Sequence, residues 1–379
     1  MRDETSRSQC GQQALSGAKS SEAGLASARC RQPIAGGTVA QLPKTTIQRR
    51  RFLGWAAGAA AAGAAFSLLP PMAFAAKPPV RRAERLDAAA FNAVRKFVPT
   101  RFGRIALVER GTGKAALFLH GFPLNGFQWR GALERLSAYR RCIAPDFLGL
   151  GYTEVREGQS VAPTDQVDML STLLDTLSID DVDLVANDSG GAVAQLFLAR
   201  HPRRVRSLLL SNCDTEMDCP PSAMKPVIAM AHDGQFVKQW LAPWLADGQL
   251  ARSPQGLGGM TFTNPENLTD EAIEMYLGPL VRDPAHTHAY ALALENNVLA
   301  GIAPALRRSR IPVRIAWGAG DTIFSPEDAS YLARTLGNSR GVHYVPKAKL
   351  FFPEEFPDLI AAEARRLWGV ADDGAGAIA

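Results

Sequence analysis

Cysteine is scarce and poorly spaced for metal work. Five occur in 379 residues, and Cys10 and Cys30 fall within the first 75. The other three, Cys142, Cys213 and Cys219, show no ligand spacing, so no metal centre is expected. An odd set of three also builds no disulfide framework. Cys213 and Cys219 flank one short loop and could pair in an oxidising compartment, but buried free thiols are the expectation. There is no Gly-rich phosphate loop and no dinucleotide fingerprint, so no cofactor is expected. A basic surplus is missing too, although the formal charge is +5. Residues 1–75 carry nine Lys/Arg against three Asp/Glu, leaving 33 against 34 in the remainder. That remainder offers phosphates no cationic face, which argues against a nucleic-acid partner. Histidine is the last shortage: six in all, and none beyond His343.

What the first 75 residues do contain is readable. Gln48-Arg49-Arg50-Arg51-Phe52-Leu53-Gly54 resembles a twin-arginine export motif, and Phe52 to Leu69 is an 18-residue Ala/Gly-rich segment. Ala73-Phe74-Ala75 follows as a small-residue cleavage site. The segment is long enough to span a membrane but too rich in Ala and Gly to stay in one. Residues 1–75 are therefore expected to be a leader that engages the twin-arginine machinery and is removed. A periplasmic or secreted protein without a stable membrane anchor would result.

Beyond a Pro-rich, basic start, short apolar runs alternate with helical patterns. Strands are expected at 104–109, 115–119, 141–145, 182–187, 205–212, 313–317 and 342–345. Most are continuous Val/Ile/Leu/Ala runs, as parallel strands buried on both faces require. Asp165 to Leu177 repeats apolar residues at helical spacing. Ser325-Pro326-Glu327-Asp328 opens a later helix with an N-cap serine, a proline and an acidic return partner. Such alternation implies a doubly wound α/β sheet. Between Asp214 and Leu306 no strand pattern appears, and a structureless loop of that length does not fit a compact domain. The expected organisation is leader 1–75, core 76–213, inserted helical cap 214–306, core 307–370 and flexible tail 371–379.

Four motifs carry chemistry: His120-Gly121-Phe122-Pro123; Pro145-Asp146-Phe147-Leu148-Gly149-Leu150-Gly151; Asp188-Ser189-Gly190-Gly191 after a strand; and Trp317-Gly318-Ala319-Gly320-Asp321. In this order they resemble the α/β-hydrolase fold, in its haloalkane dehalogenase and epoxide hydrolase branch. The resemblance covers about 104–368 and implies that fold with an inserted helical cap. The third motif is a nucleophile elbow, a strand-to-helix turn with small residues two positions either side of its tip. Asp188 at the tip is flanked by Ala186 and Gly190; Ser189 there would be flanked by the larger Asn187. Asp188 is favoured, although an aspartate could also simply cap the following helix.

An aspartate nucleophile attacks saturated carbon, in an epoxide or a carbon–halogen bond, and forms an ester that water then cleaves. The resemblance implies an oxyanion hole from the Ser189 and Phe122 amides. It gives Asp321 the supporting acid position. His120 either holds its loop or meets substrate, and cap tyrosines Tyr276 and Tyr290 could supply an acid, Tyr290 as a substrate-binding residue. Where haloalkane dehalogenases carry Trp after the nucleophile and a halide-facing residue such as Asn in the first loop, this chain has Ser189 and Phe122, so halide capture is unsupported.

The largest departure lies in Val345-Pro346-Lys347-Ala348-Lys349-Leu350-Phe351-Phe352-Pro353-Glu354-Glu355. Leu350 stands where the family places its histidine. Among the others, His286, His288 and His232 belong to the cap, His343 to the last strand, and His201 ends the elbow helix. The leading reading is an enzyme acting on a small neutral or apolar substrate, with its proton-transfer group unidentified. A Ser189-dependent esterase and a catalytically silent binding fold are the alternatives.

Overall fold

The computed structural model describes residues 86–370. The expected leader and tail lie outside the described residues. Eight strands form one sheet: β1 (Lys96–Thr100), β2 (Gly103–Arg110), β3 (Ala115–Leu119), β4 (Arg141–Pro145), β5 (Val182–Asp188), β6 (Val205–Cys213), β7 (Val313–Gly318) and β8 (Ser339–Val345). Their order is β1-β2-β4-β3-β5-β6-β7-β8. Only β2 runs against its neighbours; the pairs from β4 to β8 are all parallel. This is the expected α/β-hydrolase architecture.

The chain leaves β3 toward β4 on one side and returns to place β5 on the other. That reversal opens a crevice at the C-terminal ends of β3 and β5, where α/β sheets bind ligands. Every residue of β3 and β5 is buried, which is why their apolar runs are unbroken. β1 escaped the sequence reading for the opposite reason. It is an edge strand, alternately exposed and half-buried, with Pro99 inside it, and edges tolerate proline. The helix Pro163–Thr176 buries Val167, Leu170, Leu173 and Leu174. The helix Pro326–Thr335 begins with the reciprocal Ser325/Asp328 capping box.

Between β6 and β7 the described residues hold helices and one isolated bridge, Thr215 to Asp218. The helix Asp270–Arg282, capped by Thr269, buries Ile273, Met275, Tyr276 and Leu277. It is pinned to the core where the Asn125 side-chain amide donates to the Met275 carbonyl at 2.7 Å. A second tie is a buried cluster. The Glu354 carboxylate accepts from Arg130 Nη1 and from the Tyr276 hydroxyl, each at 2.7 Å. No helix among the described residues is long and apolar enough to cross a membrane.

Candidate active site

β5 ends at Asp188, whose backbone turns to φ +56°, ψ −135°, and the helix Ser189–Arg200 begins at the next residue. A non-glycine residue there costs on the order of 1–3 kcal/mol of strain and persists only if its surroundings enforce it. The surroundings do. The β5–β6 register breaks between Asn187 and Asp188. A Cβ on Gly190 would lie 2.5 Å from the His120 carbonyl oxygen, and one on Gly121 would lie 2.3 Å from Asp188 Oδ2. Gly190→Ala should therefore destabilise the protein by about 1–3 kcal/mol, measurable by urea unfolding. Asn187 turns into the sheet. Its amide donates to the carbonyls of Ser211, Asn212 and Leu350, each at 3.1 Å, and its Oδ1 accepts from Gln128. Asp188, not Ser189, thus occupies the strained tip.

The two amides assigned to the oxyanion hole converge on this carboxylate. The Phe122 N–H donates to Asp188 Oδ2 at 2.8 Å, and the Ser189 N–H bonds the same group. In front of them lies a cavity of about 310 Å³, lined among others by Phe122, Asp188, Ser189, Asp214, Trp240 and Leu350. Its wall is almost wholly apolar, and no Lys, Arg or His is among its lining residues. An anionic substrate would find no counter-charge there. Burial pushes the Asp188 carboxyl well above the usual carboxylate range, and the charge of Asp214 adds to this; the Phe122 and Ser189 amides oppose it. Burial likewise pushes Asp214 up to about 7.

Asp214 was missed as a site residue in the sequence, where it reads as the first residue of the insertion. Its one signal is position: it directly follows β6, at the sheet edge where Asp188 ends β5.

Of the remaining candidates, Leu350 lines the cavity and Asp321 does not. Asp321 is 9% exposed and accepts from Asn212 Nδ2 at 2.7 Å and from the Ile323 N–H at 2.9 Å. Burial raises it to about 6. Asn212 also exchanges bonds with the Gly318 backbone, so the turn after β7 that carries Asp321 is tied to β6.

Two expectations need correcting. His120 is not on the cavity wall. It is fully buried, its Nδ1–H donates to the Gly121 carbonyl at 2.9 Å, and its Nε2 accepts from the Phe147 N–H at 3.0 Å. Both nitrogens are used, which fixes one neutral tautomer, and burial lowers it to about 4. It is the post that holds the Phe122 loop. Tyr290 is not on the cavity wall either: it stacks behind Phe122 (centroids 5.4 Å apart), its hydroxyl 3.5 Å from Ser189 Oγ. Tyr276 is spent in the Arg130–Glu354 cluster.

Among the described residues no histidine lines the cavity. His286 pairs with Asp283, His232 with Glu295 and His343 with Glu363. His288 accepts from the Val237 N–H, and His201 packs on Phe197. Cys142, Cys213 and Cys219 are free thiols.

Residues 115–356, more than half of the chain, match the alpha/beta hydrolase fold family. The chain belongs to that family. This α/β-hydrolase is 29% identical over 240 residues to an uncharacterized hydrolase of Saccharomyces cerevisiae, a match covering 60% of this chain and 80% of the relative. A haloalkane dehalogenase of Mesorhizobium japonicum is 39% identical over 121 residues, which is 30% of this chain and 37% of that one. The match thus spans little more than a third of the dehalogenase. The solved structure of an epoxide hydrolase, CorEH, superposes with a TM-score of 0.60 at 21% identity, covering 73% of this chain and 98% of the other. That last likeness is one of fold. Together these matches place the chain in the alpha/beta hydrolase fold family, among hydrolytic enzymes.

Proposed function

We propose that this α/β-hydrolase cleaves a small, neutral, apolar electrophile, an epoxide first and a carbon–halogen bond or ester within the same class, through a covalent ester on Asp188. One observation carries the reading: the residue in the strained turn, facing a cation-free apolar cavity, is an aspartate. A carboxylate there needs no base to become nucleophilic. It attacks carbon in line, and the resulting ester places its carbonyl oxygen where the Phe122 and Ser189 amides already point. The amides and the N-terminus of the helix Ser189–Arg200 favour negative charge at this spot. A cavity of about 310 Å³ sits at the small end of the usual pocket range, roughly 300–1,000 Å³. With Ser189 and Phe122 in the two halide-facing positions, an epoxide, whose leaving oxygen stays tethered, suits the site better than a haloalkane.

Intact-protein mass spectrometry tests this. Mixed with a panel of small epoxides, alkyl halides and activated esters, the chain should gain the mass of at least one probe, and Asp188→Asn should gain none. A panel that leaves the wild-type mass unchanged and yields no product would move the reading to a binding protein.

Asp321 retains its position without a histidine to orient. Asp321→Asn should therefore lower turnover by less than about tenfold, where loss of a working acid–base group costs about 10²–10⁴. Steady-state kinetics on any accepted probe decides this.

We further propose export by the twin-arginine route, supported by the Arg49-Arg50 pair, the Ala/Gly-rich segment and Ala73-Phe74-Ala75. Replacing Arg49 and Arg50 by Lys should retain the protein in the cytoplasm on cell fractionation; undiminished export would refute it.

A further inference from the structure

The cavity holds two carboxyl groups, and only one of them is needed as nucleophile. Asp214 directly follows Cys213, the β6 residue opposite Asp188 in the ladder. It is 5% exposed and lines the same cavity as Asp188. Its backbone is held by Gln195, whose Nε2 donates to the Asp214 carbonyl at 2.8 Å from the helix that follows the elbow. The other protic groups on the wall are Ser189, Cys219, Thr261, Asn296 and the indoles of Trp240 and Trp244, which do not titrate near neutrality. Thr261 is committed to the Leu257 carbonyl at 2.6 Å, serine and asparagine do not titrate near neutrality, and burial pushes Cys219 up to about 12.

We propose that Asp214 is the proton-transfer group of this site, acting from β6 in place of the histidine that Leu350 displaces. The inference rests on Asp188 being the nucleophile.

The pair works as a dyad. Two carboxyls in an apolar cavity do not both ionise, so the pair carries one proton near neutrality. Asp188 has the Phe122 and Ser189 amides and the helix N-terminus to hold a charge against the burial and the Asp214 carboxylate that raise it, and the proposed reaction starts from the form ionised at Asp188. Asp214 faces Cys219 and Asp218 on its own loop, Asp188 across the ladder and Asp328 from the helix Pro326–Thr335. None of these is a cation, and Asp214 keeps its proton until about pH 7.

With an epoxide, an Asp188 oxygen bonds to a ring carbon as the ring C–O bond breaks. The electrons of that bond stay on oxygen, which takes the Asp214 proton. Asp214, now a carboxylate, removes a proton from water as the hydroxide adds to the ester carbon. The oxyanion rests against the Phe122 and Ser189 amides. Collapse expels the alcohol oxygen, which takes the proton left on the tetrahedral group. A diol leaves, Asp188 is again ionised and Asp214 again protonated; nothing is oxidised or reduced.

Two probes separate the roles: styrene oxide, whose ring oxygen needs a proton, and methyl tosylate, whose leaving group does not. In Asp214→Asn, methyl tosylate should still methylate Asp188, but the ester should persist on the intact protein where the wild type clears it. Styrene oxide turnover should fall by about 10²–10⁴-fold, and adding Leu350→His should restore clearance. In the wild type, kcat/KM for styrene oxide should fall as pH rises through about 7, while methylation should not. Should Asp214→Asn fail to fold, that contrast between the two wild-type profiles decides. Equal clearance by wild type and Asp214→Asn, or matching pH profiles for the two probes, overturns the role of Asp214 and leaves Asp188 standing. A wild-type chain inert to both probes overturns the Asp188 reading, and this one with it.

Discussion

Asp188→Asn should abolish turnover, by on the order of 10⁴–10⁶-fold, the scale on which removal of a covalent nucleophile is felt. An amide of the same shape still accepts the Phe122 N–H but has no anionic oxygen to give to carbon. The loss should be in the chemistry and not in the fold. Stability should in fact move the other way. The carboxyls of Asp188 and Asp214 are raised in the folded protein by burial, and that of Asp188 further by the charge of Asp214. A carboxyl raised on folding stabilises the native state at low pH, and that contribution is lost as pH rises toward the folded value. For Asp214 the window runs from the ordinary 3.8 to about 7. Asp188→Asn should therefore match the wild type in urea unfolding at acid pH and exceed it at neutral pH. Lower stability at neutral pH would mean that Asp188 is structural. Active sites commonly retain such a destabilising group.

Glu354→Ala should cost about 3–5 kcal/mol, the usual penalty for stranding one member of a buried ion pair. The Glu354 side chain is 3% exposed and that of Arg130 20%. Removing the carboxylate leaves the guanidinium without its counter-charge and the Tyr276 hydroxyl without its acceptor. The position also matters to the site. Glu354 lies in the short helix Phe352–Glu355 just after Leu350, and it ties that segment to Arg130 in the core and Tyr276 in the inserted helices. Urea unfolding should show the loss, with Glu354→Gln falling between the two. A change below about 1 kcal/mol, the scale of a surface ion pair, would show that the cluster is solvated.

The sheet was legible because its interior strands are buried on both faces and so spell continuous apolar runs. β1 was not, since an edge strand with Pro99 leaves no such signature. β8 was read short because most of its residues are only half-buried or exposed. The elbow register could be argued from side-chain volume alone, Ala186 and Gly190 against Asn187, because the turn is a local steric problem. Asp214 could not be found that way. A single aspartate after a strand has no pattern, and its burial is produced by helices that arrive later in the chain. The same holds for His120, whose tautomer is set by the Phe147 N–H from 27 residues away. It holds also for Tyr276 and Tyr290, which lie on adjacent helices yet meet unrelated partners.

The most direct test of the central claim is a single turnover of styrene oxide in heavy-oxygen water, with enzyme in excess. If Asp188 forms the ester, the oxygen added to the product comes from the Asp188 carboxylate. The heavy isotope should then appear in the peptide that contains Asp188, with unlabelled diol released. Heavy oxygen in the diol of that first turnover, with an unlabelled Asp188 peptide, would mean that water attacks the substrate directly and would contradict the account.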